Sequence, residues 1–287
     1  MRLGVLCSGN LGFQILMQLS DKYSISFVLT DSNSDKIIEF CSDNAIPFFK
    51  GNPRNGNCNE FLEEKECEVL LSINYLFLID EDIINFPKKY AINVHGSLLP
   101  KYRGRTPHVW AIINNEKKTG ITAHLIDSGC DTGQIIEQIE VPIEPHDTGA
   151  SILEKFNHLY WPLIEQVLMK IKLDQLTFTR QVDSKATYFG KRTPDDGHIN
   201  WNWQKERINN WVRAQAHPYP GAFTYAKGNK LTIDRISFTD DGYDFQIANG
   251  TILSVNPLKV KAPNGVIQID SFREALENLL ITKMVLE

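Results

Sequence analysis

No run in the sequence is long and apolar enough to span a bilayer, and the apolar start, MRLGVLC, breaks at Ser8-Gly9-Asn10 before it reaches the length of a secretory signal. The chain is expected in the cytoplasm, with no membrane partner. Paired cysteines are missing as well. The five present (Cys7, Cys41, Cys58, Cys67 and Cys130) are odd in number, scattered and without a CxxC spacing, which argues against a disulfide framework and a structural zinc site. No metal is expected. A cationic excess is absent: 30 Lys and Arg stand against 35 Asp and Glu, a formal charge of −5. Proteins that grip a nucleic-acid backbone draw on clustered cations to displace counterions, so nucleic acid is not an expected partner. The three-glycine dinucleotide fingerprint is incomplete. Gly9 and Gly12 follow the first apolar run, and Asp31 ends the second at about the spacing used for a ribose hydroxyl, but these glycines read as the ordinary turn of a strand–helix unit. No serine or cysteine stands in a nucleophile elbow. There is no internal repeat and no low-complexity linker.

What is present suits a packed enzyme. Hydrophobic residues make up 42% and charged residues 23% of 287, enough for one large domain and a smaller one. The first half alternates short apolar runs with amphipathic stretches. Residues 2–7, 25–29, 68–73 and 91–95 read as strands, and residues 11–19 and 34–41 as helices, the first with Leu11, Ile15, Leu16 and Leu19 on one face. Such alternation predicts an α/β fold with a Rossmann-like, doubly wound, mostly parallel sheet. Two more strands are expected at 121–126 and 135–141. A helix follows over about 148–171, with Thr148 or Ser151 as its cap, Ser151-x-x-Glu154 at capping-box spacing, and Pro162 expected to kink or split it. After about residue 175 the texture turns β-rich. Runs at 221–225, 230–238, 243–247, 251–255 and 266–270 between Gly, Asn and Asp turns suggest a small barrel or sandwich, OB-like in class. The expected division is a catalytic domain over 1–185, a linker over 186–204 and a C-terminal domain over 205–287.

The chemistry concentrates in AINVHGSLLPKYRGRTP, residues 91–107, and HLIDSGCDTGQII, residues 124–136. Alternate residues of a strand point the same way, so Asn93 and His95 leave a strand end together, where open α/β sheets place their ligands. An amide can donate to oxygen charge developing on a carbonyl, and an imidazole can move a proton. Asp131, in a glycine-flanked turn, is placed to bond the other imidazole nitrogen, set its tautomer and raise its basicity. Read from spacing alone, Asn93 and His95 could equally cap a strand and bond backbone.

The string Asn93-Val94-His95-Gly96-Ser97-Leu98-Leu99-Pro100, with Tyr102-Arg103-Gly104 and Asp131-Thr132-Gly133, resembles the signature of the 10-formyltetrahydrofolate-dependent formyltransferases. The likeness continues through Phe189-Gly190-Lys191-Arg192-Thr193-Pro194, Trp211-Val212-Arg213-Ala214 and Pro218-Tyr219-Pro220-Gly221-Ala222-Phe223. It implies 10-formyltetrahydrofolate as formyl donor, His95 as general acid and base, Asn93 as oxyanion donor and Asp131 as the group that holds and tunes His95. It further implies a folate pocket lined by Phe77, Leu78 and Ile79 and by Asp127, Ser128, Gly129 and Cys130, largely through backbone, with Arg105 also contacting the donor. For Arg103 a solvated basic loop is an equal alternative.

Three acceptors are compatible with that family. Those that formylate methionyl-tRNA carry a basic loop after the second strand; here the position reads Thr30-Asp31-Ser32-Asn33-Ser34-Asp35, short and acidic. Those that act on glycinamide ribonucleotide are single domains, unlike this chain. The second-half segments resemble the enzymes that formylate amino sugars carried on dTDP or another nucleotide, in the assembly of bacterial surface polysaccharide such as lipopolysaccharide O-antigen. A nucleotide-linked amino sugar is therefore the expected acceptor and a homodimer the expected assembly. Arg192 and Arg213 suit a diphosphate, Trp203 or Tyr219 a nucleobase, and Thr106, Pro107 and His108 the sugar. The tryptophans serve equally as packing. The alternatives are a methionyl-tRNA formyltransferase and a hydrolase that releases formate from the same donor.

Overall fold

The computed structural model describes residues 1–275 and 279–287, and the chain divides into two compact units, the first comprising 1–104, 120–141 and 155–188 and the second 105–119, 142–154 and 189–287. The elements run β1 (Arg2–Cys7), α1 (Gly9–Lys22), β2 (Ser24–Thr30), α2 (Asp35–Asp43), β3 (Phe48–Lys50), α3 (Asn59–Leu62), β4 (Val69–Ile73) and α4 (Glu81–Ile84). They continue with β5 (Tyr90–His95), β6 (Arg103–Gly104), α5 (Pro107–Ile113), β7 (Lys118–Leu125), β8 (Ile135–Pro142), α6 (Gly149–Lys172) and β9 (Tyr188–Phe189). The last are α7 (Lys205–Ala214), β10 (Ala222–Ala226), β11 (Asn229–Thr239), β12 (Ile252–Val255), β13 (Leu258–Ala262) and β14 (Gly265–Phe272).

The main sheet has seven strands in the order β3-β2-β1-β4-β5-β7-β8. The pairs β2–β3, β1–β2, β1–β4 and β4–β5 are parallel, and β5–β7 is antiparallel. The expected α/β sheet is thus present, mixed but mostly parallel. Its strands read as continuous apolar runs because helices cover parallel sheets on both faces; all of Val69–Ile73 is buried. In α1, Leu11, Ile15, Leu16 and Leu19 form the buried stripe, as their helical spacing requires. Gly12 lets that helix lie close to its strand, since a Cβ there would stand 2.9 Å from the Cys7 Cβ. On one face, Phe27 meets Phe61 and Phe86 edge to face, among Leu6, Leu29, Leu70 and the buried Cys58 and Cys67. Four of the five cysteines are buried free thiols; Cys130 is exposed.

The capping expectation for α6 changes, and of the two outcomes open at Pro162 a split is excluded. The helix is unbroken at Pro162: the carbonyl that loses its N–H partner belongs to His158, whose position on the helix is exposed and open to water. Its cap is the pair Thr148 and Ser151, not Ser151 and Glu154. The Ser151 N–H donates to Thr148 Oγ1 at 3.1 Å and the Thr148 N–H donates to Ser151 Oγ at 3.0 Å.

The C-terminal part of the second unit carries a five-stranded antiparallel sheet in the order β10-β11-β14-β13-β12, with Ile208 and Val212 of α7 in one core with Leu231, Ile233, Val260 and Ile267. The two edge strands do not stay bare. Glu287 exchanges both backbone hydrogen bonds with Tyr225 of β10, while Met284 and Lys283 bond Ile252 of β12. The final residues therefore bridge the sheet's edges. The strand expected at 243–247 is a turn instead. The Asp244 side chain accepts from the Gln246 N–H at 2.9 Å, the Ile247 N–H reaches the Asp244 carbonyl, and Phe245 is 79% exposed. The strand in its place is β13, whose Leu258, Val260 and Ala262 are buried.

Candidate active site

Asn93 and His95 close β5 on one face, and the antiparallel neighbour β7 sets His124 directly opposite Asn93. The amide nitrogen of Asn93 lies 3.1 Å from His124 Nε2, while His124 Nδ1 lies 2.7 Å from the Leu125 carbonyl. A carbonyl only accepts, so His124 Nδ1 carries the ring proton and Nε2 accepts from the amide. One Asn93 N–H is thereby spent and the amide is oriented, leaving its second N–H for another acceptor. His124 escaped the sequence reading because nothing local announces the β5–β7 register.

His95 is 8% exposed, with Nε2 2.8 Å from the Tyr102 carbonyl. By the same reasoning Nε2 carries the proton and Nδ1 is the basic nitrogen. Asp131 Oδ1 stands 3.6 Å from His95 Nδ1 and 3.6 Å from His124 Nε2, and Oδ2 accepts the Gly104 N–H at 2.9 Å. The expectation for the tautomer is corrected here, while Asp131 does act in the expected direction on His95. Tyr102, not Asp131, sets the tautomer, since 3.6 Å is an ion-pair distance and too long for a hydrogen bond. His95 also has a pKa below its ordinary value: burial disfavours the charged ring and outweighs the Asp131 carboxylate that favours it. For Asp131 burial opposes ionisation, yet His95, His124 and the Gly104 N–H hold it well below the usual carboxylate range. At neutral pH the site thus sets a carboxylate beside a neutral His95 imidazole.

The backbone at Asp131 is left-handed, φ +55°. The turn before it is tied by Asp127, whose Oδ1 accepts from the Gly129 N–H at 3.2 Å and from the Thr132 hydroxyl. Gly133 is sterically required: a Cβ would lie 1.8 Å from the Leu125 carbonyl oxygen. Ser128, Gly129 and Cys130 are exposed along the same turn. Phe77, Leu78 and Ile79 lie in the segment that follows β4, the parallel neighbour of β5, and Ile79 packs against the core around Phe27. Leu76 and Leu78 are 44% and 60% exposed, an apolar surface left open beside polar strand ends.

Arg103 is not in a solvated loop: it is 1% exposed and bonded to Gln181, Asp183 and Tyr188 within the first unit. Arg105, by contrast, is exposed.

Within the second unit, Thr106 is left-handed at φ +49° with its Oγ1 buried and without a partner, and Pro107 opens α5. His108 is buried, with Nε2 2.8 Å from the Tyr219 hydroxyl; burial pushes the imidazole down to about 4 and the phenol up to about 12. Arg192 lies between the rings of Trp110 and Trp211, 5.0 and 4.4 Å from their centroids, and donates to the Asp196 carbonyl and Gln215. Arg213 donates to the carbonyls of Glu144 and Asp147 and to Asn210. Trp203 packs edge to face on Trp211 at 4.8 Å. Several donors of both arginines are therefore already engaged inside the unit.

A sequence profile of the formyl transferase family matches residues 9–168, and a profile of that family's C-terminal domain matches 191–280. The chain belongs to the formyl transferase family. Among solved structures, this formyltransferase is similar to an N-formyltransferase from Helicobacter canadensis, solved with folinic acid and dTDP-3-aminofucose, at 21% identity over 93% of this chain and 98% of that one, TM-score 0.70. It is also similar to WlaRD, a sugar 3N-formyl transferase solved with dTDP and 5-N-formyl-THF, at 20% identity over 94% and 98%, TM-score 0.68. HypX from Aquifex aeolicus matches at 16% identity and TM-score 0.64; the chain spans 44% of that longer protein. At these identities the likeness is one of fold. The family makes the chain a one-carbon group transferase that moves formyl groups.

Proposed function

We propose that this formyltransferase takes its formyl group from 10-formyltetrahydrofolate and places it on the amine of a nucleotide-linked amino sugar. The observation that carries the reading is the cluster of Asn93, His95, His124 and Asp131 at the end of β5. The exposed Leu76 and Leu78 beside Phe77 suit the face of a pterin, and Asp127, Ser128, Gly129 and Cys130 offer backbone groups to the rest of the folate. Bound there, the donor would supply an electrophilic formyl carbon. The second N–H of Asn93 donates to the charge that develops on the formyl oxygen. His95 Nδ1 takes a proton from the attacking amine, and Asp131 stabilises the imidazolium that results. Formation of the new N–C bond would place that charge on the oxygen, its return would break the bond to the folate nitrogen, and His95 would give its proton to that nitrogen.

The acceptor rests on two supports. The β2–α2 connection is only residues 31–34, too short for a basic arm, and Asp31 in it is tied inward to Ser34 at 2.6 Å. The fold likeness to enzymes solved with dTDP or dTDP-3-aminofucose points the same way. Thr106, with its unpartnered buried hydroxyl, and the His108–Tyr219 pair are assigned to the sugar. A homodimer, a cytoplasmic location and a role in surface-polysaccharide assembly go with this reading. The test is incubation with the donor and a panel of dTDP-, UDP- and GDP-linked amino sugars, read by mass spectrometry. A formyl adduct on at least one member is expected. Formylation of methionyl-tRNA alone, or formate release that ignores every amino sugar, would overturn the acceptor.

A further inference from the structure

Arg103 is a cation taken almost wholly out of water, and its bonds reach the catalytic loop through one side chain. Its Nε and Nη2 converge on Gln181 Oε1 at 3.1 and 2.7 Å. Two further donors meet the Tyr188 hydroxyl and Asp183 Oδ1, the latter at 3.1 Å. Gln181 is 6% exposed and its amide is used completely. Because a guanidinium only donates, Oε1 must face Arg103, which turns the NH₂ group the other way. There Nε2 donates to the Asp131 carbonyl at 2.8 Å and to the Gly133 carbonyl at 2.7 Å.

These bonds hold a backbone that resists its own conformation. A non-glycine residue in the left-handed region is strained and persists only where its surroundings fix it. Asp131 is such a residue. Gln181 grips its carbonyl, and Gly104, the residue after Arg103, grips its carboxylate. One dipeptide, Arg103-Gly104, therefore restrains Asp131 at both ends, and Oδ1 is left level with His95 and His124.

We propose that Arg103 and Gln181 are positioning residues that fix Asp131 against His95 and His124. The proposal rests on the assignment of the proton step to His95 but not on the identity of the acceptor. It is tested by Gln181→Glu, which keeps the side-chain volume and gives Arg103 a charged acceptor, yet turns an oxygen towards the two loop carbonyls. Fold and packing are then retained while the grip on Asp131 is lost.

Two readings decide. The first is the titration of His95 by NMR in the protein without substrates, where the groups acting on it are Asp131, the Tyr102 carbonyl and His124, with Tyr160 facing Asp131. With Asp131 released, the His95 midpoint is expected to fall by about half a unit or more. The second is turnover on the best acceptor, expected to drop roughly tenfold in kcat with little change in KM, as for an interaction made mainly in the transition state. A folded Gln181→Glu protein with the parent's His95 titration and kcat would overturn the proposal. Should that variant fail to fold, Gln181→Met is read in the same two ways. Failure of every amino sugar as acceptor would leave the titration to decide alone.

Discussion

At the scale of single residues, the candidate site is an amide, two imidazoles and a carboxylate, and the proposed reaction divides its tasks among them. Asn93→Ala removes the free amide N–H and should lower kcat by a factor of about 10²–10³, or 3–4 kcal/mol, with the circular dichroism spectrum unchanged. Near-normal turnover would refute the oxyanion role. The pH profile follows from His95. Its folded pKa lies below the ordinary histidine value, so the ring stays neutral, and able to take a proton, to lower pH than a free imidazole would. Activity should therefore be lost as pH falls through a midpoint under about 6.5. In Asp131→Asn the carboxylate that favours the charged ring is gone. The acid limb of kcat/KM should move to lower pH, and the rate should fall because the imidazolium has lost its counter-charge. A limb that stays in place would separate Asp131 from His95. Asn93, His95 and Asp131 were legible in the sequence because strand alternation and one loop motif carry them. His124 was not, because its place beside Asn93 is set by a pairing between segments. The buried state of Arg103 was hidden for the same reason: its partners Gln181, Asp183 and Tyr188 lie far along the chain.

At the scale of elements, periodicity found what was regular and missed what local side-chain bonding decides. β1, β2, β4, β5 and α1 follow from apolar runs and a helical stripe, because burial of one face dictates both. Residues 243–247 alternate like a strand, but the Asp244 carboxylate supplies a turn that competes with the ladder. The loop at Asp131 makes its own prediction. Gly133→Ala forces a Cβ against the Leu125 carbonyl, and the chain can relieve the clash only by moving the turn. Urea denaturation should show a loss of about 2–4 kcal/mol, with activity falling further than stability explains. A variant as stable and active as the parent would mean the turn is looser than its contacts imply. Removal of residues 283–287 strips the partners from Tyr225 and Ile252 and bares both edge strands. That protein should aggregate in light scattering at concentrations where the parent does not.

At the scale of the whole molecule, stability should depend on pH through histidines kept neutral by burial. His108 has a folded pKa near 4 against about 6.5 unfolded, so below 6.5 the unfolded chain binds the extra proton. Stability is then complete above about 6.5 and declines as pH falls towards 4, by about 2 kcal/mol between pH 7 and pH 5. His95 adds in the same direction. His108→Gln keeps a partner for the Tyr219 hydroxyl without titrating, so its denaturation midpoints at pH 7 and pH 5 should lie closer together than the parent's. An equal spread would remove His108 from the account. The guanidinium held between Trp110 and Trp211 has an optical consequence. Of the five tryptophans, Trp110, Trp201, Trp203 and Trp211 belong to the second unit and only Trp161 to the first. Intrinsic emission is thus chiefly a gauge of one unit, coloured by a cation lying against two of its indoles, whereas the far-ultraviolet dichroism weighs both. A heating curve followed by both signals would separate them if the units melt apart, and superimpose them if the chain melts as one.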